Sequence, residues 1–303
     1  MKNLLAIHDL KQLSTINPYL STFHIAKEWL GIVAAVIVCQ YWWHWSLYLL
    51  AVMWIGARMH ALGILGHDGT HYLLYKNRKI NDFITRWLLF APLQFSLKQY
   101  RKIHFAHHQH LKTNQDPEHL NLQTYEEYQF PKTRASIYLL LIKDAIGYNS
   151  FIYFLKKMRY RLREPLLFLQ KTLKQPQKII IYTTIGSVLW YIGWLDEWFL
   201  YWLVPLNTWL ALCTRLRVVG EHEALHDDAL AQTRNVVTNS LEYWFLVPNH
   251  HSMHLVHHLY PSIPTYRLMT CHHLLLQNEI YRQKAVNTNG YWNMIEECVQ
   301  FDG

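Results

Sequence analysis

The sequence predicts an all-α integral membrane protein, with four transmembrane helices in two hairpins and a cytoplasmic helical cap that carries the histidine boxes. Three observations predict it. Four apolar runs of near-helical length pair around two tight turns, tryptophans gather at both turns, and none of the 29 Lys and Arg falls in either turn. The 303-residue chain is 51% hydrophobic and 15% aromatic, and only 17% of it is charged. Its mean hydropathy of -0.06 averages strongly apolar runs with polar segments between them.

The runs occupy residues 29–43, 45–65, 179–194 and 198–213. Crossing hydrocarbon takes about 20 helical residues, and amphipathic ends extend the shorter runs into the interface. Trp42, Trp43 and Trp45 surround the first turn, and Trp190, Trp194, Trp198 and Trp202 surround the second. Such clusters read as an aromatic belt at one membrane face. The second turn carries Asp196 and Glu197, and basic residues lie only at the opposite helix ends or beyond them. The positive-inside rule then puts both turns outside. Residues 67–178 and 214–303 form the cytoplasmic cap of a single domain, 1–303, in a multi-pass protein of a bacterial inner membrane. The central parts of the spans carry essentially no ionisable residues, which disfavours a metal transporter.

Within the cap, "INDFITRWLLFAPLQFSL" contains Pro92 and reads as an interfacial or re-entrant helix, not a fifth span. "SIYLLLIKDAIGYNSFIYFL" has Lys143 and Asp144 at its centre and is also expected in the interface. "KKMRYRLREP" can rest on lipid phosphates. The net charge of +8 fits that anionic surface. No nucleic-acid-binding motif accompanies it, so no nucleic-acid partner is expected. The first twenty residues do not read as a signal peptide. Cys39, Cys213, Cys271 and Cys298 lack the spacing of a disulfide framework or a cysteine zinc site.

The 20 histidines are unevenly spread. "HDGTH" holds His67 and His71, "HFAHH" holds His104, His107 and His108, and "HLVHH" holds His254, His257 and His258. "GEHEALH" adds His222 and His226. All lie near helix ends on the cytoplasmic side. Residues at i, i+3 and i+4 share a helical face, so each box is expected to present its imidazoles in one direction. Imidazole suits iron, copper, nickel and zinc. Eight box histidines exceed the four ligands of one zinc and suit two octahedral metals, with a ninth ligand from His222 or, in reserve, His226. His60, His110, His119, His250, His251, His272 and His273 read as ordinary polar residues. Asp116 and Glu221 lead the carboxylates expected to accept hydrogen bonds from ligand imidazoles, ahead of Asp68, Glu118, Glu223 and Asp227.

In this order and layout the boxes resemble those of the membrane fatty acid desaturase and hydroxylase superfamily, over about residues 29–276. "HHLYPSIP" looks like the family's ending of the last box. Ser252 and Val256 depart from the pattern, where many relatives carry Asn and then Glu or Gln. The resemblance implies a non-haem centre of two irons (Fe2+/Fe3+) that uses O2, with His67, His71, His104, His107, His108, His254, His257 and His258 as ligands and His222 as the ninth. It implies an acyl-lipid desaturase, or alternatively a hydroxylase or ketolase of carotenoids or other lipids. Electrons are expected from a separate ferredoxin or small cytochrome, because no haem or ferredoxin segment is readable. The aromatic and leucine side chains of the first two spans and of residues 83–95 are expected to line the acyl slot.

Overall fold

The computed structural model describes residues 4–173, 176–225 and 230–299. It is mostly helical, and two of its helices are long and apolar enough to cross a membrane. They are α1, Pro18–Tyr41, and α2, Trp45–Thr70. The first begins eleven residues before the apolar run because Asn17 caps it, accepting from the Tyr19 and Leu20 amides, and Pro18 takes the first helical position. The second continues past the run to Thr70, and so carries His67 on helical backbone.

The two helices form an antiparallel hairpin packed through Ile25, Ile32, Cys39, Ala51, Ile55, Met59 and Leu62. Its other faces expose Leu30, Val33, Ile37, Val38, Leu49 and Leu50, and Trp42, Trp43 and Trp45 are exposed at the turn. A continuous apolar surface of this kind is unfavourable in water and matches lipid.

The middle of the hairpin does contain charge, contrary to the sequence reading. Glu28 is fully buried, and its carboxylate accepts from Arg58 at 2.7 Å and lies 2.9 Å from the Lys27 ammonium. Arg58 also donates to the Trp244 carbonyl and lies 4.4 Å over the Trp54 ring. Neither charge is expressed alone in an apolar environment, because each has ionic and hydrogen-bonded partners.

A short helix, α3, Arg78–Ile84, continues as a π-helical turn over Thr85–Phe90 and folds back along α2. The helical stretch before Pro92 thus runs only from Arg78 to Phe90, shorter than the about 20 residues a span needs. Two glycines permit its close approach. A Cβ on Gly69 would sit 2.0 Å from Thr85 Oγ1, and one on Gly66 would sit 2.2 Å from Phe90. Helix α4, Leu97–His110, returns along the same side of α2, and α5, Pro117–Gln123, follows.

Helix α6, Arg134–Ala145, ends before Gly147, whose φ of 79° starts α7, Tyr148–Arg163. The stretch around Asp144 exposes Leu139, Ile142, Ile146 and Phe151, but Asp144 itself turns inward. It is buried and paired with Arg215, with Asn149 donating to it at 2.8 Å. The third apolar run forms α8, Pro176–Tyr191. The fourth is not one helix. It is divided into Leu195–Trp198, a π-helical turn over Phe199–Leu203, Val204–Asn207, and then α9, Trp209–His222. Pro205 lacks an amide proton, and Thr208 leaves helical geometry.

One small departure from all-α architecture positions the last box. Strand β1, Arg234–Val237, pairs in parallel with β2, Val286–Asn289, with Arg234 opposite Val286. Asn235 of β1 donates to the Tyr281 hydroxyl at 2.7 Å and accepts from the Val256 amide at 3.2 Å. The Val236 amide donates to the Ser252 carbonyl at 2.8 Å. The strand thereby fixes α10, His254–Leu259. Pro264 then precedes the next helix, Thr265–Leu275, and turns the chain away.

Gly69→Ala is expected to lower stability by about 1–3 kcal/mol through overpacking against Thr85, with partial recovery in the Gly69→Ala/Thr85→Ala pair. Thermal unfolding in detergent checks this, and an unchanged midpoint would refute the close contact.

Candidate metal centre

Nine histidines from four segments converge into two groups. The first comprises His67, His71, His104, His108 and His257, and the second His107, His222, His254 and His258. Within each group one ring nitrogen per residue lies within 4.8 Å of all the others. The groups adjoin, since the His108 and His258 rings stack at 4.3 Å between centroids. All eight box histidines and His222 are thus brought together. His226 and Asp227 lie outside the described residues.

The boxes do not each point one way. His104 and His108 face the first group while His107, between them, faces the second. In the last box His254 and His258 face the second group and His257 the first. Helical rotation is the reason. At about 100° per residue, positions i and i+4 diverge by about 40°, whereas i+3 and i+4 diverge by about 100°. An HxxHH box therefore fans its rings across two neighbouring centres, and two such boxes supply three ligands to each. His67 and His71, one turn apart at the end of α2, complete the first group. His222, the last residue of α9, completes the second.

The nitrogens fit a cation better than they fit one another. A neutral imidazole has one N–H and one lone pair. His104 Nε2 lies 2.8 Å from His67 Nε2 and 2.9 Å from both His71 Nε2 and His108 Nε2. A single ring nitrogen offers a proton or a lone pair, so these contacts cannot all be hydrogen bonds. A cation at the focus converts each opposed lone pair into a ligand bond. His107 shows the same demand, since its Nδ1 is engaged by Asp116 while its buried Nε2 has no hydrogen-bond partner. Burial pushes the His104, His254, His257 and His258 imidazoles well below their ordinary pKa, and His108 to about 2, so their lone pairs stay available. Donor sets made only of imidazole suit iron, copper, nickel or zinc, and the five-nitrogen group exceeds what tetrahedral zinc takes.

Carboxylates orient the rings from behind. The His107 Nδ1–H donates to Asp116 Oδ2 at 2.9 Å, which fixes the tautomer that leaves Nε2 as the ligand atom. Asp116 also caps α5 through the Glu118 and His119 amides and accepts from the Lys112 amide. Burial alone would raise its pKa, but the His107 hydrogen bond and charge and these amides outweigh it and hold the carboxyl below its usual range. Glu221 Oε1 lies 3.3 Å from His254 Nδ1 and accepts from Arg217 at 2.7 Å. Burial pushes Glu221 up to about 7 against the pull of Arg217. Among the other carboxylates, Glu118 Oε1 lies 3.5 Å from His104 Nδ1, and Asp68 is held by the Thr265 amide and hydroxyl.

The sequence reading misplaced His251 among the ordinary polar residues. It is fully buried, 4.5 Å from the His67 ring and 5.3 Å from that of His254. Glu221, His251 and His254 form a third close set beside the two groups. The one sequence signal was that His251 precedes His254 by three residues, but it lies in a turn, where helical spacing does not apply. His60 and His272 are also buried, each with one ring nitrogen hydrogen-bonded, to the Leu246 carbonyl and the Tyr281 hydroxyl.

Imidazole clusters at the ends of apolar helices define a class, a membrane-associated protein whose donor set is compatible with a metal centre. The sequence profile of the fatty acid desaturase family matches residues 42–288, and the chain belongs to that family. It is 28% identical to the dihydrorhizobitoxine desaturase of Bradyrhizobium elkanii over 92% of this chain and 82% of that protein. It is 25% identical to the chloroplastic omega-6 fatty acid desaturase of Spinacia oleracea, over 77% of this chain and 54% of that one. It is 24% identical to the sn-1 oleoyl-lipid 12-desaturase of Synechocystis, over 82% of this chain and 74% of that one.

Asp116→Asn keeps the helix cap and removes the charge behind His107. Metal affinity at the four-histidine group is expected to fall by about 10- to 100-fold while the five-histidine group holds its ion. Metal content after graded chelation checks this, and chelator resistance equal to wild type would contradict it.

Proposed function

We infer that this protein is an O2-dependent acyl-lipid desaturase with two irons, one held by His67, His71, His104, His108 and His257 and the other by His107, His222, His254 and His258. The observation that carries this reading is the division of nine imidazoles into adjoining groups of five and four nitrogens. The names of the relatives support the substrate class, since two of them are fatty-acyl desaturases. When bound, the irons supply the oxidising power needed to remove hydrogen from an unactivated methylene, which no side chain possesses.

The chain's own residues do the rest. Asp116 holds His107 in the tautomer that aims its other nitrogen inward, and Glu221 places a carboxylate oxygen 3.3 Å behind His254 Nδ1. The buried core of α2 and its neighbours, with Leu62, Leu65 and Leu89, keeps water from the hairpin side of the site. The lipid-facing surface of α1 and the apolar residues of 83–95 give an acyl chain a route from the bilayer to the imidazoles. The overall reaction balances as –CH2–CH2– plus O2, two electrons and two protons, giving –CH=CH– and two waters.

The topology that suits this activity is a single domain, 1–303, with four spans in two hairpins. Both tight turns lie outside, and the histidines lie on the cytoplasmic side of a bacterial inner membrane. Two features support it: the hairpin of α1 and α2, and the absence of Lys and Arg from both turns. The broken fourth segment is compatible with a span, because neighbouring helices satisfy the freed backbone groups in membranes. Electrons come from a separate ferredoxin or small cytochrome.

Two measurements test this reading together. The purified protein is expected to carry about two irons per chain, and His107→Ala to lose activity by about 100-fold or more along with metal. Mass spectrometry of host lipids with and without expression is expected to show a new alkene. An oxygenated product with no alkene, or an active His107→Ala enzyme, would overturn it.

A further inference from the structure

We propose that the outer face of α4 is the docking surface for an acidic one-electron carrier protein, with Phe105 at its centre. The proposal rests on the desaturase reading and names the partner that reading requires. From Gly69 to Gln115 the chain carries eight Lys and Arg and a single carboxylate, Asp82, which is paired with Arg101 at 2.8 Å. This stretch holds His71 and the whole of the second histidine box, so that side of the site is backed by a basic surface. A groove of about 400 Å³ lies in it, lined by Arg86, Leu97, Lys98, Arg101, Lys102 and Phe105.

Helical spacing builds the face. Lys98, Lys102 and Phe105 stand at i, i+4 and i+7 of α4 and are all exposed, while His104 and His107 on the opposite side are buried. Phe105 is 40% exposed, and its ring packs on the His71 ring at 5.4 Å between centroids. The surface is thus separated from an imidazole of the five-histidine group by a single phenyl ring. Arg101 lies 4.1 Å over Tyr72, the residue after His71, and Arg78 lies 4.7 Å from the same ring.

This arrangement has the anatomy of a transient protein contact, with an aromatic centre, a charged rim and charge of one sign that steers an oppositely charged partner. Lipid headgroups would need only the cations. An exposed phenyl placed between those cations and a ligand imidazole serves a partner that must pass electrons inward. Each docking event oxidises one reduced carrier by one electron, and two events supply the pair that the balanced reaction consumes.

The test uses the full-length protein in nanodiscs of neutral phosphatidylcholine, with a reduced acidic [2Fe–2S] ferredoxin as the carrier. Lys98→Glu/Lys102→Glu is expected to weaken ferredoxin binding by about tenfold or more, to slow its anaerobic oxidation and to flatten the salt dependence of association. The same variant is expected to keep wild-type metal content, and wild-type turnover with a small uncharged redox mediator. Lys98→Gln/Lys102→Gln should fall between the two. Ferredoxin binding and oxidation at wild-type rates in the charge-reversed variant would overturn the proposal and leave the desaturase reading standing. So would a defect confined to retention of phosphatidylglycerol, which would assign the cations to lipid. A wild-type protein that makes no alkene with ferredoxin or mediator would remove both.

Discussion

The structure depends on one electrostatic constraint, that lone pairs of the same sign must be held facing each other in a buried space. Nε2 atoms at 2.8–3.1 Å, more of them than protons can bridge, repel unless a cation lies between them. Folding must therefore fix the imidazoles independently of one another, on elements rigid enough to withstand that repulsion. The chain meets this by drawing ligands from the ends of α2, α4 and α9 and from the short helix α10. Contacts away from the site anchor two of these elements, with Gly66 and Gly69 packing α2 against Phe90 and Thr85 and Asn235 holding α10.

The same demand accounts for charges buried far from the imidazoles. Glu28 and Arg58 join α1 to α2, and Arg58 reaches the Trp244 carbonyl just ahead of the turn that leads to the last box. Asn249 in that turn lies 3.5 Å from Glu28 and 3.4 Å from Lys27. Asp144 and Arg215 similarly tie α6 to α9, whose last residue is His222. A buried ion pair contributes little net stability, but removing one partner costs about 3–5 kcal/mol, which makes such pairs effective at selecting a single arrangement. Each pair here joins a scaffold helix to a ligand-bearing one.

Much of this was legible in the sequence because histidine spacing and membrane hydropathy are strong local signals. The eight box histidines, His222 and the Asp116 partner of His107 follow from spacing and nearness along the chain. What spacing could not convey was direction. The fan of an HxxHH box becomes visible only when a second box faces it. Glu28 and Arg58 sit 30 residues apart, and their pairing depends on hairpin register rather than on any local pattern. His251 was missed because it lies in a turn, with Asn249 and His250 at positive φ just before it, where side-chain direction has no period. The strand pair was missed because four residues carry too little alternation to be read, and the fourth segment breaks on both sides of Pro205, with a π-helical turn before it and a non-helical Thr208 after it.

The most direct test is the anomalous scattering of crystals of the purified protein, collected at the iron edge. The account predicts two peaks, one within about 2.2 Å of nitrogens of His67, His71, His104, His108 and His257, and one within the same distance of His107, His222, His254 and His258. A single peak, or a peak held instead by Glu221, His251 and His254, would contradict it.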